Sequence, residues 1–169
     1  YNDVRKFGFI KLTDKKNLQK NLHLKFLGPE PLEKSFNFEY FKKYLKGKNR
    51  TIKDLLMDQK FVAGLGNIYV NEVLFFSKIK PKRKINTLKD NELKKILVNV
   101  KNILKKAIEF GGSSIKDFSG TTGKNGSFQQ FFGVYGKEGK NCSNTDCKKI
   151  VKRIVMSNRA SFYCPKCQK

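Results

Sequence analysis

The four cysteines of this 169-residue chain form two closely spaced pairs near its end. Four residues separate Cys142 from Cys147, two separate Cys164 from Cys167, and sixteen lie between the pairs. Four thiolates spaced in this way can surround one Zn²⁺ as a tetrahedron, with Zn–S bonds of about 2.3 Å. Two disulfides are the alternative, but nothing in the sequence indicates secretion, where disulfides persist. The spacing predicts one structural zinc ion in a closed ligand shell that does no chemistry.

A phosphate-binding side chain is predicted between the two cysteine pairs. Ser157 and Asn158 are typical turn residues, and Arg159 follows them directly. Zinc bound on both sides would make this turn the rigid tip of a hairpin. A guanidinium held there can bind a phosphate through two parallel hydrogen bonds. The alternative is an incidental surface charge, because the chain has 37 Lys and Arg residues.

A second candidate anion site is the turn Gly64-Leu65-Gly66, which leads into Asn67. Glycines allow positive φ and close approach to the backbone. Asn67 is a candidate N-cap whose side chain accepts from the first helical N–H groups. The start of a helix attracts anions through its free N–H groups and its dipole, and a basic chain favours phosphate. Gly-x-Gly before a helix is common, however, and alone it is a weak signal.

Composition indicates a polyanionic partner. The formal net charge is +23, and 38% of the residues are hydrophobic, enough for one modest core or two small ones. Self-repulsion of this size weakens a compact state, so nucleic acid is the first candidate partner and an anionic membrane the second. No apolar run approaches 18 residues and no signal-peptide pattern is present. We therefore expect a soluble intracellular protein.

Hydrophobic periodicity predicts helices in the middle of the chain. Their ranges are 38–46 capped by Asn37, a short helix capped by Thr51, a helix from Asn67 that ends before Pro81, and 87–110. Thr87 with Asp90 resembles a capping box at the start of the last helix, and Gly111-Gly112 would end it. Strands are predicted within 1–12, 128–135 and 150–164, and a long loop at 112–128.

The chain begins at Tyr1 in strand-like alternation without Met, and we expect it to be a piece of a longer protein. The two prolines within residues 27–32 indicate a domain boundary.

With these motifs in place, the sequence resembles the C-terminal two-thirds of bacterial formamidopyrimidine-DNA glycosylase. The matching segments follow the family order along the whole chain. They are residues 2–8, 27–32, 56–69, 111–118 and 159–168. The Arg-Ala-Ser-Phe-Tyr-Cys sequence at 159–164 and the Gly-Gly-Ser-Ser sequence at 111–114 resemble this enzyme more than its relative endonuclease VIII.

The resemblance implies a mainly α fold. Residues 1–26 would be the last strands of an N-terminal β-sandwich catalytic domain. Residues 27–128 would form a helix–two-turns–helix DNA-binding domain with a lesion-capping loop, and residues 129–169 a β-hairpin zinc finger. The family excises oxidised purines such as 8-oxoguanine and formamidopyrimidines, and cuts the abasic strand by β,δ-elimination. The expected partner is damaged double-stranded DNA, and no membrane partner is expected. The protein would be a monomer in the bacterial cytoplasm, at the nucleoid.

The resemblance also implies roles for individual residues. Asn67 and Arg159 match the pair that grips phosphates at the lesion, and Arg159 would also be catalytic, in δ-elimination. Flipping a base costs a few kcal/mol, and inserted side chains keep the gap open. The remaining expected DNA contacts are Arg5 at the orphaned base, Phe7 as a wedge in the stack, Lys48, Lys53, and Lys116 at the start of the loop 116–128 that closes over the flipped base.

Two departures from the family pattern affect these expectations. The first cysteine pair of the family is usually spaced by two residues, whereas Cys142 and Cys147 are spaced by four. The family's nucleophilic N-terminal proline, its adjacent Glu and a lysine of the first domain have no counterpart, so the chain should bind DNA without cutting it. Three alternatives stay open: a zinc-ribbon module for RNA or the ribosome, an endonuclease VIII-type enzyme for oxidised pyrimidines, and a purely structural basic domain.

Overall fold

The computed structural model describes Asp3, residues 6–113 and residues 126–169. Within these residues the chain forms four α-helices and an antiparallel hairpin of two strands. The helices are α1 (Phe38–Leu45), α2 (Ile52–Leu56), α3 (Asn67–Phe76) and α4 (Asp90–Glu109), and the strands are β1 (Lys152–Met156) and β2 (Arg159–Tyr163). Short 3₁₀ turns lie at Lys15–Lys20, Ile85–Thr87 and Phe128–Phe131. The predicted helical fold with a terminal hairpin is confirmed.

Side-chain caps fix the starts of the first two helices. Asn37 accepts the backbone N–H of Tyr40 at 3.0 Å, and Thr51 accepts that of Asp54 at 3.2 Å. Both caps were predicted and both are confirmed. Each satisfies a backbone donor that has no partner within its helix.

Helix α4 begins three residues later than predicted. Thr87 lies in a 3₁₀ turn and its hydroxyl donates to the carbonyl of Lys84 at 2.7 Å, so it does not cap the helix. Glu92 instead accepts the backbone N–H of Lys89 at 2.9 Å. The predicted C-terminus is confirmed, because Gly111 has φ of 69° and the next N–H bonds the carbonyl of Ala107 at 2.7 Å, the Schellman arrangement.

Two predicted strands are wrong. Residues 6–12 form no strand and find no partner strand among the described residues; Phe9, Ile10 and Leu12 are exposed. The segment 128–135 begins with a 3₁₀ turn, because Phe128 and Phe132, four residues apart, both enter the helical core.

Two hydrophobic clusters meet at α3. The larger one lies among the four helices, and Phe61 is fully buried there against the rings of Phe36, Phe41 and Tyr44. The smaller one joins the four cysteines to hairpin and loop residues and to Phe75 of α3. Helix α3 is apolar on most of its circumference because it contacts α4 as well as β2. It therefore positions the hairpin against the helices.

The hairpin turns through two residues, with Met156 and Arg159 as the last cross-strand pair. Ser157 and Asn158 have φ of 46° and 57°, the pattern of a type I′ turn. The predicted tip is therefore confirmed, with Arg159 immediately after the turn. Of the helices described, none has both the length and the apolar character needed to span a bilayer.

Candidate nucleic-acid interface and metal centre

The four cysteine sulfurs converge on one point. All four Sγ atoms lie within 4.8 Å of one another; Cys142 and Cys167 are 3.8 Å apart, and Cys147 and Cys164 are 3.6 Å apart. Zn–S bonds of about 2.3 Å in a tetrahedron require S···S edges of about 3.8 Å. A disulfide would need about 2.05 Å. The donor set therefore fits one zinc ion with a closed shell, which would hold the hairpin and carry no substrate.

The first cysteine loop, with four residues between its cysteines, keeps the metal geometry and supplies a hydrogen-bond donor to a cysteine sulfur. The backbone carbonyl of Asn144 accepts from Cys147 N at 2.9 Å, which closes the loop. The side-chain amide of Asn144 donates to Cys167 Sγ at 3.7 Å. Burial raises the pKa of Cys142 to about 12, whereas the backbone N–H of Lys149 lowers the pKa of Cys147 to about 7. The thiols must therefore release protons as the metal binds.

The last residues tie the metal centre to the end of α3. Gln168 is fully buried, accepts the backbone N–H of Cys164 at 2.8 Å and donates to the carbonyl of Ile79 at 2.8 Å. Lys169 pairs with the same segment through its backbone, accepting from Lys80 N at 2.9 Å. The second cysteine pair is thus fixed to the helical part of the molecule.

A buried carboxylate makes a second connection between α3 and the zinc-bearing part. Glu72 is 1% exposed and accepts three backbone N–H groups, from Gly133 at 2.6 Å, Val134 at 3.0 Å and Tyr135 at 2.8 Å. Burial raises the pKa of this carboxyl group, and the three N–H donors oppose that effect. A Cβ at Gly133 would lie 2.6 Å from the ring of Phe75, so only glycine permits this close packing.

Two residues of α3 satisfy the edge of β2 that faces away from β1. Asn67 Nδ2 donates to the carbonyl of Ala160 at 3.1 Å, and Asn71 Oδ1 accepts the backbone N–H of Phe162 at 2.7 Å. The prediction that Asn67 caps α3 is wrong: Gly66 occupies that position and Asn67 is the first helical residue. The side chain of Asn67 bonds instead to the carbonyl of Ala160, which is distant in the sequence. Gly64 does take the positive φ, 77°, that the turn was expected to need.

Lys53 reaches the same carbonyl from α2. Its side chain is 1% exposed, and Nζ donates to Ala160 O at 3.0 Å and to Ser161 Oγ. Desolvation lowers the pKa of Lys53 to about 8, with Arg159 adding to the decrease and Asp54 opposing it. Direct contact of Lys53 with DNA stays a prediction; the structure shows an ammonium group bonded to the hairpin beside Arg159.

Arg159 is exposed at the edge of an open cleft between α2 and the hairpin tip. The cleft has a volume of about 760 Å³ and is also lined by Lys53, Asp54, Lys60 and Ser157. Ser157 Oγ donates to Asp54 Oδ1 at 2.7 Å. No described carboxylate forms an ion pair with Arg159. Its guanidinium is therefore available for an external anion.

The other predicted DNA-binding residues lie apart from this cluster. The ammonium group of Lys48 lies 3.4 Å from the centroid of the Tyr44 ring and donates to the Tyr44 carbonyl at 2.7 Å. Phe7 is 87% exposed on the N-terminal segment. Arg5, Lys116 and residues 116–125 of the predicted capping loop lie outside the described residues. The structure thus brings together Asn67, Lys53 and Arg159.

Sequence reasoning did not identify the residues that hold the site in place. Asn71, Glu72 and Gln168 are all buried and all bond backbone groups of another element. The available signal was the adjacent polar pair Asn71-Glu72 inside an otherwise apolar helix. A polar group in such a run must find hydrogen-bond partners when the helix is buried.

These features define the class of protein with a helical DNA-binding domain and a four-cysteine zinc hairpin. The model for the formamidopyrimidine-DNA glycosylase H2TH domain matches residues 27–119, more than half of the chain, and the chain belongs to this family. It is 43% identical over 169 residues to formamidopyrimidine-DNA glycosylase of Dinoroseobacter shibae, covering 100% of this chain and 60% of that protein. The chain thus spans less than two thirds of its relatives' length.

Solved structures of relatives agree with this assignment. The Lactococcus lactis Fpg in complex with an abasic-site DNA has a TM-score of 0.90 and 38% identity, covering 99% of this chain and 60% of that one. MutM in complex with DNA containing carbocyclic 8-oxo-G has a TM-score of 0.87 and 37% identity, covering 99% and 59%. The hairpin and helices described above are therefore arranged as in proteins solved on damaged DNA.

Proposed function

We propose that this chain is the DNA-gripping part of a base-excision glycosylase and abasic-site lyase that acts on oxidised purines. One observation carries the proposal: Asn67 of α3 and Lys53 of α2 both donate to the carbonyl of Ala160, the residue next to exposed Arg159. Two helices thereby hold a guanidinium at the tip of the hairpin. A guanidinium held in a fixed position suits one phosphate group of a kinked strand better than a flat protein surface.

The charge of the chain supports a nucleic-acid partner. The net charge is +23, while the described residues contain four ion pairs, so most of the 37 basic side chains are not neutralised by the protein. A duplex that contacts about six of these cations releases counterions on binding. Its affinity should fall roughly 10³-fold between about 50 and 200 mM salt.

The roles of the other residues belong to the same proposal. Phe7 would enter the base stack, Arg5 would reach the orphaned base, and Lys48 and Lys116 would contact the backbone. Arg159 would also assist δ-elimination. This part of the enzyme would bind the damaged duplex. We place the protein, as a monomer, in the bacterial cytoplasm on the nucleoid DNA.

The proposal is tested by comparing two arginines of the same hairpin. Arg159→Ala should weaken binding to an abasic-site duplex by about tenfold or more, because a charge-assisted bidentate contact is lost. Arg153→Ala is the control: Arg153 is also exposed and lies on β1, and its Nε is 3.9 Å from Glu138 Oε2. Fluorescence anisotropy at fixed salt measures both affinities, with structured RNA as competitor. Equal losses for the two variants, or preferential binding of RNA, would contradict the proposal.

A further inference from the structure

We propose that the hydrogen bond between Ser157 and Asp54 is a latch that positions Arg159 for phosphate binding. Ser157 and Asp54 are then positioning residues of the DNA site, and this inference rests on the function proposed above. The latch concerns the hairpin tip alone.

The latch joins the tip to a fixed element. Ser157 Oγ donates to Asp54 Oδ1 at 2.7 Å across 103 residues of sequence. The other carboxylate oxygen of Asp54 accepts the hydroxyl of Thr51 at 2.6 Å, and Thr51 caps α2. Helix α2 is itself buried through Ile52, Leu55 and Leu56. The acceptor of the latch is therefore anchored on its own helix, independently of the hairpin.

The backbone conformation of Ser157 indicates that its hydroxyl group makes a stabilising contact. Ser157 has φ of 46°, in the left-handed region that glycine and asparagine adopt more readily. Asn158, with φ of 57°, suits the second position of the type I′ turn, but serine is an unfavourable choice for the first. A residue stays in such a conformation when surrounding contacts hold it there. The bond to Asp54 is one such contact.

The latch completes a two-point attachment around Arg159. Lys53 holds the carbonyl of Ala160, which follows Arg159, and Asp54 holds the side chain of Ser157, two residues before it. Two adjacent residues of one helix thus fix the chain on both sides of the guanidinium. With both attachments present, Arg159 loses little conformational freedom when it binds a phosphate, which is the general advantage of a preorganised site.

Charge alone argues against an acid at this place. The carboxylate of Asp54 lines the same cleft as Arg159 and would repel a phosphate bound there. An acid at this position is explained if the hydrogen bond from Ser157 increases the affinity for phosphate more than the negative charge of Asp54 decreases it. The two effects can be separated, because Asp54→Asn removes the charge and keeps an acceptor oxygen, whereas Asp54→Ala removes both.

The test uses the zinc-loaded 169-residue chain and an abasic-site duplex at fixed salt. Asp54→Ala should bind about fivefold more weakly than Asp54→Asn, the change expected from losing one hydrogen bond. Ser157→Gly should also bind about fivefold more weakly than the wild type, although glycine makes the turn easier. The double variant Asp54→Ala with Ser157→Gly should lose no more than either single variant, because both remove the same bond.

Hydrogen exchange of residues 156–160 without DNA provides an independent measurement. Asp54→Ala and Ser157→Gly should each increase the exchange rate at the tip about fivefold, while Asp54→Asn leaves it unchanged. An unaltered exchange rate in both variants would overturn the latch, whatever their affinities for DNA. Faster exchange with unchanged affinity would overturn its role in positioning Arg159. Absence of salt-dependent binding by the wild-type chain would instead refute the proposed function, and the positioning role with it.

Discussion

Lys53 of α2 and Ala160 of β2 are joined by a hydrogen bond of 3.0 Å, although 107 residues separate them in the sequence. The same carbonyl oxygen accepts from Asn67 of α3 at 3.1 Å. A carbonyl oxygen has two lone pairs, and here both receive donors from helices. The position of the hairpin relative to α2 and α3 is therefore fixed at one atom, next to the residue proposed to bind phosphate.

The first prediction concerns the titration of Lys53. Its pKa is lowered from 10.5 to about 8 in the folded chain, so between about pH 8 and 10.5 the unfolded chain binds more protons at this group than the folded chain. Stability contributed by Lys53 should therefore rise with pH in that window, by at most about 1.4 kcal/mol per pH unit. Urea unfolding at several pH values, compared with Lys53→Met, measures it. Parallel pH profiles of the two proteins would contradict the assignment.

A second prediction follows from the buried carboxylate of Glu72. Glu72→Gln replaces one acceptor oxygen by an NH₂ group, which faces backbone N–H groups of residues 133–135 and leaves at least one unsatisfied. The free energy of unfolding should fall by about 2 kcal/mol. Glu109→Gln, on the exposed end of α4, is the matched control and should change it by less than about 0.5 kcal/mol. Similar values for both variants would show that the three bonds are not important for stability.

Removal of zinc should loosen the hairpin while the helical cluster stays folded. Elemental analysis should find one zinc per chain, and a chelator should raise hydrogen exchange throughout β1 and β2 and abolish duplex binding. The far-UV circular dichroism should change little, because the cluster that covers the helices includes none of the four cysteines. Retained binding after complete loss of zinc would contradict a metal-held hairpin; complete loss of helical signal would show that the clusters are not separable.

The Asn144 contact predicts an effect on zinc release. Cys167 is the only one of the four cysteines that is not buried, and the side-chain amide of Asn144 donates to its sulfur. Removing that donor in Asn144→Ala exposes the sulfur and leaves it more nucleophilic. Zinc release by a thiol-alkylating reagent, followed with a metal-binding dye, should become about threefold faster, as expected from the loss of a weak hydrogen bond. Thr145→Ala, in the same loop, should release zinc at the wild-type rate.

Local chemistry in the sequence predicted those features whose cause is also local. Asn37 and Thr51 cap their helices, and Gly111 ends α4, because the donor and acceptor lie within a few residues of each other. The cysteine spacing likewise identified a metal site whose ligands lie close together in the structure. In each case the physical partner was visible in the neighbouring sequence.

Features that depend on distant partners could not be predicted in this way. Asn67 gave the pattern of an N-cap, but the carbonyl of Ala160 takes its side chain. Lys53 was expected to contact DNA only because of the family resemblance, and its burial under the hairpin was not predicted. The acceptors of both residues lie about a hundred positions away, and only the folded chain brings them together.

Helix α3 borders both hydrophobic clusters, and this limits how the zinc hairpin can be treated as a module. Phe75 belongs to the cysteine cluster, whereas Val73 and Leu74 beside it belong to the helical cluster. A protein engineer who transplanted residues 129–169 onto another scaffold would leave behind the ring, the carboxylate of Glu72 and the amide of Asn71 that complete the finger. To move intact, the finger would have to carry its helix with it.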